Sequence, residues 1–252
     1  MISSSDDLEW VAYIAGSAFL STILASCYLA AARPEKAWYD GRATAESAKS
    51  LAWEYAVGGG PFCVETCPNA DDLLLSRLSD LVTKLRDFAV DFQADASEQI
   101  SAAMQKLRTS SLEDRRNAYL SGRIDDQRTW YVAKARWNER RNHTWLIVSL
   151  ASQGAGVVGA FLLGAGVINV NALGVLAAVA ASAAGWVQAK DHASLSRAYK
   201  IAAQELGLAR ARLVSETDEV TWANLVDDAE QAISREHTLW LARRGSATQQ
   251  AP

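Results

Sequence analysis

Two long runs of uncharged, mostly apolar residues stand out along the chain. Neither residues 10–32 nor residues 144–189 contain Asp, Glu, Lys, Arg or His. About 20 apolar helical residues are needed to cross the hydrocarbon core of a bilayer. Residues 10–32 therefore predict one membrane-spanning helix, and the longer run has room for two.

A break in the longer run is predicted by its only cluster of turn formers, Gly164, Gly166, Asn169 and Asn171. On either side of it we expect spans at 144–164 and 171–189. The pattern therefore predicts a tight transmembrane hairpin.

The first apolar run is preceded by Asp6, Asp7 and Glu9. A signal peptide would instead begin with a basic segment. We therefore interpret residues 10–32 as a membrane span rather than as a cleaved signal.

Small residues recur at intervals of four in the hairpin. Such rows let helix backbones approach closely in lipid. Packing within the hairpin is the favoured interpretation, and self-association of several chains is the alternative. The positions expected to pack are Gly159, Gly164, Ala181 and Gly185.

The hairpin contains no Asp, Glu, Lys or Arg, so a proton relay, a voltage sensor or an ion-coupled carrier is not supported. Gln153 is one of its few polar residues, and a pore lined by Gln153 and small residues is permitted by the sequence. Gln153 is therefore our candidate pore-lining residue.

Basic residues cluster after the first span, before the hairpin and after it. The positive-inside rule places such flanks in the cytoplasm. We expect a multi-pass membrane protein, with the N-terminus outside and most of the chain cytoplasmic.

Helical patterns fill the rest of the chain, so we predict an all-α membrane protein with three transmembrane helices and a cytoplasmic helical bundle or coiled coil. A seam with 4-3 spacing runs through residues 71–108, from Leu74 through Phe92 to Leu107. An intramolecular bundle is favoured over an intermolecular coiled coil. The predicted segments are an N-terminal span (1–32), a juxtamembrane helix and Gly-rich loop (33–62), a loop and coiled-coil helix (63–118), a signature helix (119–143), the hairpin (144–189), C-terminal helices (190–244) and a disordered tail (245–252).

Two helices outside the spans mix aromatic and charged residues at helical spacing. Solvated faces rarely collect Trp, and apolar core stripes rarely collect Arg and Lys. We predict that these helices pack together through Arg–carboxylate pairs between rings; a static network that fixes register is favoured, and signal transmission to the spans is the alternative. The network consists of Trp38, Arg42, Glu46, Lys49 and Trp53 on the first helix, and Tyr119, Arg123, Asp126, Gln127, Trp130, Tyr131, Lys134 and Trp137 on the second.

Composition and the absence of known motifs exclude several classes of function. With 25 Lys+Arg and 29 Asp+Glu the net charge is −4, so nucleic acid is not an expected partner. The sequence has no dinucleotide, P-loop, nucleophile-elbow or zincin motif, so we expect no enzyme activity, no catalytic residues and no cofactor. Cys63 and Cys67 are interpreted as free thiols; a metal site or a redox pair is the alternative.

The second helix carries a recognisable motif, Tyr119-x3-Arg123-x2-Asp126-Gln127-x2-Trp130-Tyr131-x2-Lys134, followed by the apolar hairpin. This segment resembles the DUF4231 family of the SLATT superfamily, the SMODS and SLOG-associating two-transmembrane effector domains. The segment from Trp38 to Trp53 looks like the first half of the same arrangement. Relatives with this first half usually carry a hairpin before it, whereas a single span precedes it here.

The resemblance implies an effector of the bacterial inner membrane that belongs to a nucleotide-signalling anti-phage or conflict system. It would be pore-forming or membrane-disrupting, and it would work with a synthase or sensor of nucleotide second messengers. Because two or three helices cannot enclose a pore, we expect a homo-oligomer in the lipid bilayer. The alternative is a non-conducting membrane scaffold or sensor whose bundle binds a partner protein.

Overall fold

The part of the chain that the structure describes consists of helices joined by turns and loops, without a strand, which confirms the all-α prediction. The computed structural model describes the backbone of residues 4–32, 34–86, 98–167 and 173–248, and the side chains of 13–32, 41–83, 98–167 and 173–234. A 3₁₀ turn at Gly60–Phe62 and a π-helical turn at Leu120–Asp125 join the longer helices. The α-helices are α1 (Ser4–Ala32), α2 (Pro34–Val57), α3 (Ala70–Arg86), α4 (Ala102–Arg108), α5 (Leu112–Tyr119), α6 (Asp126–Gly164), α7 (Leu173–Lys190), α8 (His192–Leu213) and α9 (Glu219–Thr248).

Three of these helices are long and apolar enough to cross a membrane, as predicted. They are α1, the end of α6 and most of α7. In α1 no residue of the stretch Tyr13–Ala32 is buried within its own unit. Apolar side chains that no protein group covers are what a helix surrounded by lipid requires.

The described chain divides into two compact units. The first contains residues 1–51 and 74–99, and the second contains residues 52–73 and 100–252. In the first unit the predicted seam begins as expected, with Leu74 buried and Leu78 and Leu81 half-buried. Its members Phe88, Phe92 and Ala96 lie outside the described residues.

The predicted continuous helix over 71–108 is interrupted, and this expectation was wrong. Residues 98–101 are not helical, and α4 starts afresh after them. The side chain of Ser101 caps the new helix by accepting a hydrogen bond from the backbone N–H of Met104. A serine in this position satisfies an N–H group that would otherwise lack a partner at a helix start.

In the second unit, α8 packs between α6 and α9, and the end of α2 completes the core. The largest buried side chain is Trp222, whose Nε1 donates to the carbonyl oxygen of Val57 at 2.9 Å. The apolar core consists of Val57, Tyr119, Leu120, Ile124, Tyr131, Ala202, Ala203, Leu206, Leu213, Trp222, Val226, Ala229 and Ile233.

Glycine ends α2 as the Gly-rich sequence predicted. Gly58 adopts φ +72°, and the N–H groups of Gly58 and Gly59 donate to the carbonyls of Tyr55 and Glu54. This hydrogen-bond pattern is the Schellman motif, which favours glycine because a Cβ is disfavoured at positive φ. It leaves Gly59 so close to Val226 that no side chain fits between them.

Helix α6 has 39 residues and is about 58 Å long. The predicted signature helix and the first span of the hairpin are therefore one continuous helix. It starts in the core of the second unit and ends at Gly164, within the uncharged run.

The end of α6 is capped as the turn formers predicted. Gly166 adopts φ +70°, and the N–H groups of Gly166 and Val167 donate to the carbonyls of Leu163 and Leu162. The other predicted turn formers, Asn169 and Asn171, lie outside the described residues. At the far end of the chain, α9 continues to Thr248, four residues into the segment expected to be a disordered tail.

Candidate coupling site between the bundle and the spans

A buried polar cluster lies where α5 leads into α6. The guanidinium of Arg123 donates from Nε to Glu230 Oε1 at 2.9 Å and from Nη2 to Glu230 Oε2 at 2.6 Å. The hydroxyl of Tyr119 donates to the same Oε1 at 2.9 Å. All three side chains are at most 2% exposed, so a planar two-point ion pair is held inside the apolar core.

The environment of Tyr119 keeps its hydroxyl protonated. Burial raises the pKa of Tyr119 well above its usual value, and the negative charge and hydrogen bond of Glu230 raise the pKa further. The hydroxyl therefore remains a hydrogen-bond donor to the carboxylate. Tyr119 and Arg123 together satisfy Glu230 from one side.

The π-helical turn at Leu120–Asp125 places Arg123 in the core. A π turn accommodates one residue more than an α turn, and such turns occur often at functional sites. The buried positions that follow the turn are Tyr131, Ala135 and Asn138. They lie one position later than α-helical spacing from Tyr119 would place them, because the turn holds the additional residue.

This extra residue explains where the predicted stripe differs from the structure. Asp126, Lys134 and Trp137 are exposed, and Gln127 and Trp130 are half-buried. The single face predicted for the second helix is therefore divided at Arg123, and the buried face continues through Tyr131 instead. The Nζ of Lys134 lies over the rings of Trp130 and Trp137, at 5.6 and 5.8 Å from their centroids.

One residue of the first predicted stripe reaches the cluster. Trp53 packs edge-on against Tyr119 at a centroid distance of 5.9 Å, and its ring also lies against Gly122. Arg42, Glu46 and Lys49 belong to the first unit, where Arg42 and Glu46 are half-buried and Lys49 is exposed. The side chain of Trp38 lies outside the described residues, and the pairing of the two stripes stays a prediction.

A second ion pair fixes the start of α9. Arg115 is buried and pairs with Glu219, and its Nη1 donates to the carbonyl oxygen of Val57 at 2.9 Å. The ring of Trp222 donates to that same carbonyl. Two charged or polar donors therefore tie α5 and α9 to the end of α2.

Sequence reasoning missed Arg115, Glu219 and Glu230. Glu230 had a detectable signal, because it interrupts the apolar row formed by Trp222, Val226, Ala229 and Ile233 on α9. A carboxylate in an apolar row is expected to have a buried partner. Arg115 and Glu219 lie at helix starts, where charged residues are common.

A second polar contact joins α6 to α8 just outside the hairpin. The Nδ1 of His192 lies 2.8 Å from Asn138 Oδ1, and Ser196 Oγ donates to the carbonyl of Ala135 at 3.0 Å. Burial lowers the pKa of His192, and the charges of Arg141 and Lys190 lower it further. His192 is thus an interior contact between these helices.

The link between α7 and α8 is a single residue in an unusual conformation. Asp191 has φ +41° and ψ +49°, which is the left-handed region. Its carboxylate accepts the backbone N–H of Ser194 at 3.3 Å and so caps α8. Asp tolerates this conformation better than most residues, since its side chain bonds to the local backbone.

Tryptophans mark the end of the hairpin nearest the bundle. The rings of Trp145 and Trp186 are 5.7 Å apart, and Lys190 Nζ lies 5.0 Å from the centroid of Trp186. Indole rings favour the boundary between hydrocarbon and water. This end of the hairpin therefore has the composition of a membrane interface.

Inside the hairpin, the small residues divide into two groups. A Cβ at Gly159 would lie 3.7 Å from Leu173, whereas one at Gly164 or Gly185 would have nothing within 4 Å. Ala181 is exposed. Gly159 thus faces the partner span, and none of the residues that the structure describes covers the other three positions.

The candidate pore residue Gln153 is exposed on α6. Its Nε2 donates to Ser149 Oγ at 3.0 Å, one turn earlier on the same helix. Because its partner lies on its own helix, the side chain can face another chain without losing that bond. The two cysteines of the C-x3-C segment are free thiols, with Cys63 buried and Cys67 half-buried.

Two family models match the chain. SMODS and SLOG-associating 2TM effector domain 1 matches residues 119–240, and SMODS and SLOG-associating 2TM effector domain 3 matches residues 1–116. Neither the curated proteins nor the solved structures gave a match.

The match to domain 1 contains both spans of the hairpin and the Arg123–Glu230 pair. In the match to domain 3, α1 is the one helix of the described residues that is apolar enough to cross a membrane. SLATT domains are effectors of nucleotide-signalling defence systems and are not known as enzymes. The two matches together cover nearly the whole chain, which belongs to the SLATT superfamily of two-transmembrane effector domains.

Proposed function

We propose that this protein is an oligomeric effector that forms a pore in, or disrupts, the bacterial inner membrane when its cytoplasmic bundle is triggered. The supporting observation is the continuity of α6. Helix α6 continues directly from the π turn that contains Arg123 of the buried Arg123–Glu230 pair, and it carries Gln153 within the membrane span. A displacement of the bundle end of such a helix moves its membrane end as well.

Oligomerisation is part of the proposal because three helices cannot enclose a pore. The hairpin leaves Gly164, Ala181 and Gly185 uncovered within one chain, and small residues are typical of helix contacts in lipid. A groove of about 630 Å³ along α7, lined by Val148, Ala178 and Ser182 among others, offers space for a neighbouring helix. In the oligomer, Gln153 would face the pore.

The proposed orientation follows from charge. Arg136, Arg140 and Arg141 precede the hairpin, and Lys190 and Arg197 follow it. The positive-inside rule favours the cytoplasm for both flanks, so the bundle would be cytoplasmic and α1 would have its N-terminus outside. The proposed partners are a synthase or sensor of nucleotide second messengers and other copies of this chain.

Within the bundle, we propose that the two aromatic and charged stripes form the coupling network. Trp53 already contacts Tyr119 in the second unit. Trp38, Arg42, Glu46 and Lys49 precede Trp53 on α2, so a movement of α1 would reach Tyr119 through this helix. The network would hold the closed state until the trigger arrives.

Leakage from vesicles tests the proposal. Full-length protein is reconstituted into phosphatidylethanolamine and phosphatidylglycerol vesicles that contain K⁺, with and without added nucleotide second messengers. We expect K⁺ release from wild-type protein, and we expect Arg123→Glu to abolish both assembly and release. Asp125→Asn is the matched control, because it removes the exposed pair with Arg210 in the same turn and should leave release unchanged.

The alternative function, a non-conducting scaffold or sensor, predicts a different result. Wild-type vesicles would then retain K⁺ under every condition tested, although the protein would still oligomerise or bind a partner through its bundle. Normal assembly and release by Arg123→Glu would contradict the proposed coupling network.

A further inference from the structure

One face of α6 next to the membrane carries several basic side chains. Arg136, Arg140, His143 and Thr144 recur at i, i+4, i+7 and i+8 and are all exposed. With Glu139 they line a shallow groove of about 590 Å³. This face points away from α8, which packs on Ala135 and Asn138.

The neighbouring cations are already engaged. Arg141 lies over the ring of Trp137, Lys190 lies over Trp186, and Lys200 donates to both carboxylate oxygens of Glu139 at 3.1 Å. Among the residues that the structure describes, Arg136 and Arg140 have no ion pair and no ring contact. The one carboxylate in the groove is therefore bound to α8 and leaves these two guanidinium groups without a counter-charge.

Two like charges one helical turn apart repel each other, and an anion between them removes the repulsion. Guanidinium groups bind phosphate oxygens through two parallel hydrogen bonds. His143 adds a ring to the same face; its Nδ1 lies 2.9 Å from the carbonyl oxygen of Glu139, which leaves Nε2 directed away from that backbone group. The chemistry of the groove is thus that of a phosphate site.

The position of the groove relative to the membrane indicates the source of the phosphate. Thr144 is the first residue of the uncharged run, and at 1.5 Å per residue Arg140 and Arg136 lie about 6 and 12 Å before it. The polar headgroup layer of a bilayer is about 5–8 Å thick on each side, and long arginine side chains extend toward it. Both guanidinium groups can therefore reach headgroup phosphates.

We propose that Arg136, Arg140 and His143 on this face of α6 bind the phosphate of an anionic phospholipid headgroup. The bound lipid would fix the height and rotation of α6 in the membrane. The proposal depends on the insertion of α6 and not on pore formation, so a protein without conductance would still bind the lipid.

Competitive lipid binding to the full-length protein tests this site. Detergent-solubilised protein is mixed with equal amounts of phosphatidylglycerol and phosphatidylcholine, and retained lipids are counted by native mass spectrometry. We expect preferential retention of phosphatidylglycerol. Since one Arg near an anionic surface contributes about fivefold in affinity, R136Q/R140Q should bind phosphatidylglycerol about 25-fold more weakly than wild type.

The control is R141Q/K190Q, which removes the same charge at the same end of the hairpin but off the groove. It should bind phosphatidylglycerol at nearly the wild-type level, because Arg141 and Lys190 lie over tryptophan rings and do not line the groove. Equal losses of phosphatidylglycerol binding in both double variants would indicate a diffuse electrostatic attraction and overturn the proposal. Wild-type binding by R136Q/R140Q would also overturn it. R136K/R140K keeps the positive charges but removes the guanidinium groups that donate two parallel hydrogen bonds. We expect this variant to bind at an intermediate level.

Two further arms separate the possible sources of phosphate. Inorganic phosphate and a soluble mononucleotide are added to the lipid mixture at millimolar concentration. We expect neither to displace phosphatidylglycerol, because the lipid is anchored beside the groove. Displacement by either one would overturn the assignment to a lipid headgroup.

Discussion

Arg123 and Glu230 are 107 residues apart in the chain and form a buried ion pair through two hydrogen bonds. The pair connects the turn before α6 to the middle of α9. Both side chains are nearly inaccessible to water, so each depends on the other for compensation of its charge. We therefore expect the loss of either partner to destabilise the bundle.

We expect Arg123→Met or Glu230→Leu to destabilise the protein by about 3–5 kcal/mol, because each leaves the opposite charge buried without its partner. The double variant R123M/E230L should recover much of that loss, since it removes both charges. Tryptophan fluorescence during thermal unfolding in detergent measures all three variants.

Asp125→Asn is the control for this pair. Asp125 and Arg210 are about two-fifths exposed, and exposed ion pairs contribute at most about 1 kcal/mol. A double variant that loses as much stability as the sum of the single variants would contradict the coupling between Arg123 and Glu230.

Gly59 tests the close approach of the Gly-rich loop to α9. A Cβ at Gly59 would lie 2.2 Å from Val226 Cγ1 and 2.7 Å from its Cβ. Gly59→Ala should therefore cost about 1–3 kcal/mol through overpacking. The change is measured as a lower unfolding temperature in detergent.

Gly207→Ala is the matched control for Gly59→Ala. Gly207 lies within α8, and an added Cβ would meet only Arg128 Nε at 3.7 Å, which is ordinary contact. Alanine in a helix interior is about 0.5–1 kcal/mol more favourable than glycine. Gly207→Ala should raise the unfolding temperature, and a decrease equal to that of Gly59→Ala would show that the loop contact is not special.

The contact between α6 and α8 can be tested with one pair of substitutions. Ala135 is 2% exposed and its carbonyl accepts the hydroxyl of Ser196, whereas Ala133 is exposed on the same helix. Ala135→Leu should destabilise the bundle by about 1–3 kcal/mol because the interior has no room for the larger side chain. Ala133→Leu should unfold at nearly the wild-type temperature, and equal effects would contradict the observed face of α6.

His192 makes stability depend on pH. Its pKa in the folded protein lies below the usual 6.5, mainly through burial, so the unfolded chain takes up a proton first as the pH falls. The contribution of neutral His192 is fully present above pH 6.5 and is lost as the pH falls through the folded pKa. We expect the unfolding temperature to decrease in that range.

His192→Gln is the comparison for the pH dependence. It keeps a donor for Asn138 without a group that titrates in this range. The decrease below pH 6.5 should be smaller in this variant than in wild type. Identical pH profiles would assign the effect to other groups.

Much of the architecture was predictable because it follows from local patterns. Uncharged length predicted the three spans, and the glycines at 58–60 and at positions 164 and 166 predicted the ends of α2 and α6. The partner of Arg123 was not predictable in the same way, since a contact over 107 residues depends on how α9 packs. The apolar row on α9 contained the clue, a carboxylate at position 230.

The faces of the second helix were predictable only up to Arg123. Spacing rules assume 3.6 residues per turn, and one π turn invalidates them for every later residue of the helix. This is why Lys134 and Trp137, assigned to the inner face, are exposed while Tyr131 and Ala135 are buried. A single sequence carries no signal for a π turn comparable to the signals of glycine or a serine cap.

The π turn also determines how α6 could rotate. One residue of α-helix corresponds to about 100° of rotation and 1.5 Å of rise. The additional residue in the turn at 120–125 therefore corresponds to that rotation and rise between α5 and the membrane. If that turn tightened to α geometry, Trp130, Lys134 and Trp137 would rotate toward the positions that Tyr131, Ala135 and Asn138 hold now. The membrane end of the helix would then rotate by about 100° and move by about 1.5 Å along its axis, without bending.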